Sequence, residues 1–478
     1  VTLDEAVWGA LNEAAALYRG NPRATNWLGH QLERFAEPVR IAVAGQQKSG
    51  KSTLVNAIVG EQIAPIELSD GTQVPTWYRD GAPPRASLVT RNGAAQDVPV
   101  DRVDRRLRID LRSWPPPQVE RISVDWPSRA LRGATLIDTP ACPPSAAERL
   151  AREADAVLYL TRHLHGTDTQ SLESLQHPPL ASAGPVNAIL VLSHADELGA
   201  SRIDALSAAK RVARRYRADV QVSPLCQNVV AVAGLLAHTA RTLREHEFGA
   251  LSALAGTPRA ALDGALLSAD RFAGTDFPAA VSQEIRQELL NRFGVFGVRL
   301  AVTLIRTGCH NQAALTAELV QRSGLAELRE SIGQCFTERR EVLKARSALL
   351  ALEDVLRMEP HPGAARLTAH LERVLASAHE FRELRLTAAL QCGRTTLPDG
   401  LDLEAQRLLG AAGTGVHARL GVAEAATGSE LRQLAVDVVD RWRVQAENPL
   451  FTARQRQAAA TVVRSCEGMV ARLVAERG

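Results

Sequence analysis

The chain has 478 residues, 45% of them hydrophobic and only 4% aromatic, with 56 Lys and Arg against 53 Asp and Glu; this supports two or three folded units with real cores and excludes a disordered or collagen-like chain. A formal net charge of +3 is near neutral over this length, so bulk charge gives no reason to expect nucleic acid or anionic lipid as a partner, and any basic patch has to be local. The six cysteines (Cys142, Cys226, Cys309, Cys335, Cys392, Cys466) stand singly, as buried thiols of a reducing compartment do, and no apolar run approaches the roughly 18 residues of a membrane span, so a cytoplasmic protein with at most peripheral membrane contact is expected.

Residues 3–36 carry helical periodicity through Leu3, Val7, Leu11, Ala14 and Tyr18, then Trp27, Leu28, Leu32 and Phe35 after a break at Gly20-Asn21-Pro22. Thr2 and Glu5 have the spacing of a capping box. Residues 1–37 are thus expected as N-terminal helices joining a bundle with the later helices. From 38 to 240 the pattern changes to short β-branched runs: Val39 to Ala44, Ala86 to Thr90, Ile122 to Val124, Thr135 to Ile137, Ala156 to Leu160, Ala188 to Leu192 and Val229 to Val232. Several are continuously apolar, as strands covered on both faces are. This block is predicted as an α/β domain.

Beyond about 240 strand signals nearly vanish, and an all-helical half is expected: a first helical region at 241–323, a long hairpin at 324–400 and C-terminal helices at 401–478. From Gly324 to Met358 the apolar residues Leu325, Leu328, Ile332, Phe336, Leu343, Leu349, Leu352 and Leu356 predict one helix of about 35 residues, roughly 50 Å long. The turn Glu359-Pro360-His361-Pro362-Gly363 ends it, and a second run follows through Leu367, Leu371, Val374 and Phe381. An extended stalk and an ordinary helical bundle share this periodicity. The Phe293-Gly294-Val295-Phe296 stretch has the period of a buried helix.

The segment Gly45-Gln46-Gln47-Lys48-Ser49-Gly50-Lys51-Ser52 follows a β-branched run and precedes a helical one, the context that G-x-x-x-x-G-K-[ST] requires. Its glycines let backbone N–H groups wrap phosphates, with Lys51 reaching the β- and γ-phosphates, Ser52 ligating Mg²⁺ and Thr53 continuing the site into the helix. Asp138, ending the apolar run Leu136-Ile137, suits a carboxylate that holds Mg²⁺ through water. Asp196, past the run Ile189 to Leu192, can accept both N1–H and N2–H₂ of guanine, a pair adenine does not offer; capping a following helix is the competing role. Thr72 or Thr76, between the P-loop helix and the next strand, can supply a hydroxyl to the metal and a carbonyl to an attacking water, or simply serve a turn. Ala233 and Gly234, after Val229 to Val232, complete the nucleotide-binding set.

With these motifs in this order, the chain resembles the bacterial dynamin-like GTPases, and among them the shorter isoniazid-induced branch of mycobacteria. The resemblance rests on Ala36 to Ala42 leading into the loop, Lys51 to Ala57, His194-Ala195-Asp196-Glu197, Arg292-Phe293-Gly294-Val295-Phe296-Gly297-Val298-Arg299 and Arg322-Ser323-Gly324-Leu325. It implies a GTPase head at 38–240, a neck bundle that residues 1–37 join, a neck or hinge region at 241–323, a stalk formed by the hairpin at 324–400, further neck or stalk helices at 401–478, GTP and Mg²⁺ as ligands, and action at membranes. The implied partners are a second copy, head to head, or a longer dynamin-like relative. By the same resemblance Gln47 and Lys48 assist hydrolysis, Thr72 positions water and Asp138 serves Mg²⁺. Three departures from the family pattern stand out: Lys48 replaces a small hydroxyl residue, Ala141 replaces the glycine of D-T-P-G, and His194 replaces the base-covering lysine. Alanine keeps an N–H for the γ-phosphate but loses backbone freedom, so a slow or inactive nucleotide-binding scaffold is the alternative to a working hydrolase.

Overall fold

The computed structural model describes residues 2–64, 74–103, 106–109, 114–141, 143–175, 187–198, 204–275, 277, 280–391, 393–398, 400–423 and 425–475. Eleven strands are present among them: β1 (Val39–Gly45), β2 (Thr76–Asp80), β3 (Arg85–Thr90), β4 (Ala95–Val98), β5 (Val100–Val103), β6 (Arg106–Ile109), β7 (Val119–Trp126), β8 (Ala134–Asp138), β9 (Ala156–Thr161), β10 (Ala188–Leu192) and β11 (Asn228–Ala231). Nine form one sheet in the order β11-β10-β9-β1-β8-β2-β7-β3-β4, and β5 pairs with β6. The strands from β11 to β8 run parallel, while β2 is antiparallel to β8. Because side chains alternate across a strand, Val39, Ile41 and Val43 pack with Leu54 and Val55 of the helix Lys51–Val59, and Ala42 and Ala44 face the opposite layer with Tyr159 and Leu190. All seven β-branched runs of the sequence are strands. The strand at Thr76–Asp80 has no such signal: TWYRD reads as loop, yet it pairs with both β7 and β8.

The helical half divides differently from its periodicity. Leu251, Leu262, Phe272, Leu289, Phe293, Val298, Leu304 and Leu315 share one core with Ala42 and Ala44, so the segment expected as neck or hinge covers the sheet and belongs to the head. The expected 35-residue rod is interrupted. A helix Leu325–Ile332 runs into a π turn at Gly333–Thr337, and a new helix, Arg340–Met358, spans about 28 Å. The extra residue of a π turn breaks register: Leu325, Leu328 and Phe336 stay in the head core, while Leu349 and Leu352 face Val7, Leu11 and Leu28 of the N-terminal helices.

Those helices, Leu3–Leu17 and Pro22–Ala36, pack with Arg340–Met358 and Ala364–Ser377 around one apolar core. Thr2 and Glu5 make the reciprocal capping bonds at 3.2 and 2.9 Å. The turn after Met358 is tied back: Tyr18 donates to the Glu359 carbonyl at 2.7 Å and Asn21 to its carboxylate at 2.8 Å. It is therefore no free tip of a stalk. The last helices, among them His379–Gln391, Gly428–Ala446 and Ala453–Ala475, enclose a separate core around Trp442 and Met469.

Two predictions follow from this packing. Gly324 has φ +82°, and a Cβ there would stand 2.1 Å from the Ala231 carbonyl oxygen. Gly324→Ala is expected to lower stability by about 3 kcal/mol or more, combining left-handed strain with a backbone collision; an unchanged melting temperature would contradict this close approach. In the C-terminal bundle, burial raises the Glu383 carboxyl, but His379 and the Arg419 guanidinium outweigh it and hold the group at about 2. Arg419 donates to Glu383 at 2.9 Å, and His379 lies 2.9 Å from Ser465. A depressed carboxyl stabilises above its unfolded value and loses that contribution as pH falls through the folded one. Stability is thus expected to drop by on the order of 3 kcal/mol between about pH 5 and 2, and in Glu383→Gln that segment of the acid titration should vanish.

Candidate functional site

The carboxyl ends of the parallel strands lie side by side, with Val43 opposite Asp138, Gly45 opposite Leu160 and Leu192 opposite both Thr161 and Ala231. Loops leaving such an edge are where an open α/β sheet binds ligands. Gly45 ends β1 with φ +142°, and a Cβ there would meet the Leu160 carbonyl oxygen at 2.2 Å. Gly50, at φ +92°, opens the helix Lys51–Val59, so both motif glycines occupy backbone that other residues resist.

The Lys51 side chain is buried and its Nζ donates to the carbonyls of Gly45 at 3.2 Å and Gln46 at 2.9 Å. Ser52 Oγ, in the first turn of the helix, donates to Asp138 Oδ2 at the end of β8 at 2.6 Å. Thr139 Oγ1 donates to the Val43 carbonyl at 2.9 Å and ties the following loop to β1. Gln47 and Lys48 are exposed at the outer side of the loop, and Ala141 is exposed three positions beyond Asp138.

Beside the loop lies a cavity of about 160 Å³ lined by Ser49, Gly50, Thr53, His194, Asp196 and Gly234, with an apolar floor including Leu160, Val191 and Val232. Among the described residues no helix starts at Asp196; the next one begins at Ala205 with Asp204 before it. Burial raises the Asp196 carboxyl above its ordinary range, against the pull of its own backbone N–H and of His194. Ala233 is buried and donates its N–H to the Ser323 carbonyl at 2.9 Å, setting the start of the helix Gly234–Arg241.

Thr72 lies outside the described residues. Thr76, the other threonine considered, stands in β2 rather than in a loop, with its hydroxyl donating to the Val74 carbonyl at 3.3 Å. Several neighbours of the cavity and loop carry no motif. Arg162, just past β9, pairs with Glu197 at 3.2 Å, and Glu197 in turn contacts His194. At the other end of the P-loop helix, Arg241 donates to the Ala57 and Ile58 carbonyls at 2.7 and 2.8 Å and Arg329 to Ile58 at 2.6 Å. They satisfy carbonyls that a helix C-terminus leaves open. Only the fold shows that positions so distant in sequence meet there.

A family profile described as the Dynamin family matches residues 41–195. Over its whole length the chain is 39% identical to the isoniazid-induced protein IniC of Mycobacterium tuberculosis, covering 100% of each chain. It is 29% identical to the isoniazid-induced protein IniA of the same organism over 231 residues, 45% of this chain and 34% of that one. Among solved structures, one described as an oligomerised bacterial dynamin pair for long-range sensing and tethering of membranes aligns over 99% of this chain and 74% of that one, with 14% identity and a TM-score of 0.33.

Proposed function

This chain belongs to the bacterial dynamin-like family of IniC, and we propose that it is a Mg²⁺-dependent GTPase whose nucleotide state is passed through the helical neck to a membrane. The observation that carries this reading is the juxtaposition of Lys51, Ser52 and Asp138 at one sheet edge with Asp196 in the adjoining cavity. Loop amides and the Lys51 ammonium cradle the phosphates, and Asp196 accepts the two guanine donors that adenine lacks. The hydroxyl of Ser52 and the carboxylate of Asp138 form the hard oxygen set that suits Mg²⁺. When bound there, the ion supplies charge neutralisation to the β- and γ-phosphoryl oxygens. Gln47 and Lys48, exposed beside the loop, orient the attacking water and offset charge on the transferring group. Such chemistry is positioning and electrostatics rather than covalent catalysis.

Transmission is supported by a polar joint between head and neck. Arg34 pairs with Asp155 at 2.6 Å and donates to the Arg152 carbonyl, while Arg152 pairs with Asp354 at 3.3 Å and Lys344 donates to the Glu37 carbonyl. Nearby, burial pushes the Arg346 guanidinium down to about 10. Partners in this reading are a second copy through the head face bearing Gln47 and Lys48, or a longer dynamin-like relative. No described helix is long and apolar enough to cross a membrane; in this reading the membrane contact is peripheral, made directly or through a partner. Co-sedimentation of the full chain with liposomes at low salt checks this: sedimentation supports direct contact, and its absence assigns the contact to a partner.

Ala141 favours a second reading, a nucleotide-binding scaffold with negligible turnover. Phosphate release from GTP, measured with and without liposomes, separates the two. Turnover that depends on Mg²⁺ supports the hydrolase, and tight binding without phosphate release supports the scaffold.

A further inference from the structure

Two non-glycine residues of the described chain hold left-handed backbone, Lys48 at φ +60° and His194 at φ +52°. His194 lines the nucleotide cavity, and Lys48 lies in the phosphate loop beside it. Such conformations work against Cβ sterics and persist only where surrounding contacts fix them. For His194 those contacts are specific. Its Nδ1 lies 2.8 Å from one carboxylate oxygen of Glu197, and the other oxygen accepts from Arg162 at 3.2 Å. Its Nε2 is buried without a hydrogen-bond partner, and the ring stands 3.5 Å from where a Cβ on Gly50 would be.

Glu197 and Arg162 are 53% and 47% exposed, and ion pairs that open to solvent add little to stability. What they do is geometric. A carboxylate on Nδ1 selects the tautomer with its proton there and sets the plane of the imidazole. Arg162 fixes the carboxylate from the end of the neighbouring strand. The groups around the ring are therefore Glu197 and Asp196 from its own loop, Gly50 from the phosphate loop and, behind Glu197, Arg162 just past β9.

We infer that Glu197, steadied by Arg162, is a positioning residue that holds His194 as the cover of the nucleotide base, a task the family pattern gives to a lysine. This rests on the guanine-nucleotide reading above and adds two residues outside the motif to it.

The test measures binding of GDP and of inorganic tripolyphosphate to the full chain by calorimetry. His194→Ala and Glu197→Ala are each expected to weaken GDP binding by about fivefold or more, and the double variant by no more than the larger single loss, because the two act as one unit. Tripolyphosphate, having no base, should bind all of them as it binds the unaltered chain. Glu197→Gln, whose amide oxygen still accepts from Nδ1, should keep most of the GDP affinity. His194→Gly should lose GDP affinity without a lower melting temperature, since glycine suits the left-handed backbone. Additive losses, unchanged GDP affinity in Glu197→Ala, or an equal loss for tripolyphosphate would overturn the inference while leaving the nucleotide reading intact. Unaltered protein that binds no GDP would overturn the nucleotide reading itself, and this inference with it.

Discussion

Lys51→Ala is expected to weaken GTP binding by roughly a hundredfold to a thousandfold and to abolish turnover. The estimate follows from charge-assisted hydrogen bonds at about 1.5–3 kcal/mol each, with the ammonium serving two phosphoryl oxygens. In the structure Nζ already sits among the Gly45 and Gln46 carbonyls, buried at the foot of the loop, so little reorganisation separates its present position from phosphate contact. Because Nζ also holds the Gly45 and Gln46 carbonyls, the affinity loss counts only in variant protein shown to be folded. Equilibrium binding of a fluorescent guanine nucleotide, with circular dichroism as the folding control, measures it. Retained affinity in folded protein would exclude this loop as the phosphate site. Ser52→Ala, which removes the hydroxyl bonded to Asp138, should instead lose the Mg²⁺ dependence of binding and keep a weaker, metal-independent component.

Asp196→Asn is expected to remove the preference for guanine, with a loss of about a hundredfold for GTP and little change for ATP. An asparagine presents an N–H₂ where the carboxylate accepted a hydrogen bond, so one of two donor contacts becomes a repulsive pair. Xanthine, with a carbonyl at that edge, should now bind better than guanine. The pH dependence has a definite sign. Burial raises the free-protein pKa of Asp196, whereas two guanine donors favour its ionised form, so binding releases a proton in the interval between the two values. GTP affinity should therefore fall as pH drops through that raised value and reach a plateau above it, while ATP affinity follows only the phosphates. Identical pH profiles for the two nucleotides would detach Asp196 from the base.

Much of the head is legible in the sequence because its central strands are buried on both faces. Val39 to Ala44, Ala156 to Leu160 and Ala188 to Leu192 must be apolar throughout, and a short continuous apolar run is a strong signal. The phosphate loop is equally plain, since its chemistry constrains a contiguous stretch. Thr76–Asp80 is not legible: its pairing with β7 and β8, rather than any preference of its own residues, makes it a strand. The helical half shows the same limit. An apolar period of 3.6 marks Leu325 and Leu349 alike as inward-facing, yet one faces the head core and the other the neck. The π turn between them, which decides this, leaves only Gly333 as a trace.

At the site, the apolar runs are enough to place Asp138 at the end of one strand and Asp196 in the loop past another, but their neighbours leave no such signal. Arg162 and Glu197 are 35 positions apart and meet because β9 and β10 are adjacent parallel strands ending at the same edge. Arg241 and Arg329 converge on the P-loop helix in the same way. Contacts assembled by sheet order leave no spacing rule in the chain.

Isothermal titration of the full chain with GTP and with ATP in magnesium buffer tests the central claim most directly. The account predicts a saturable heat for GTP, much weaker binding of ATP, and loss of the GTP heat in Lys51→Ala. Correctly folded protein that gives no heat with either purine triphosphate would contradict it.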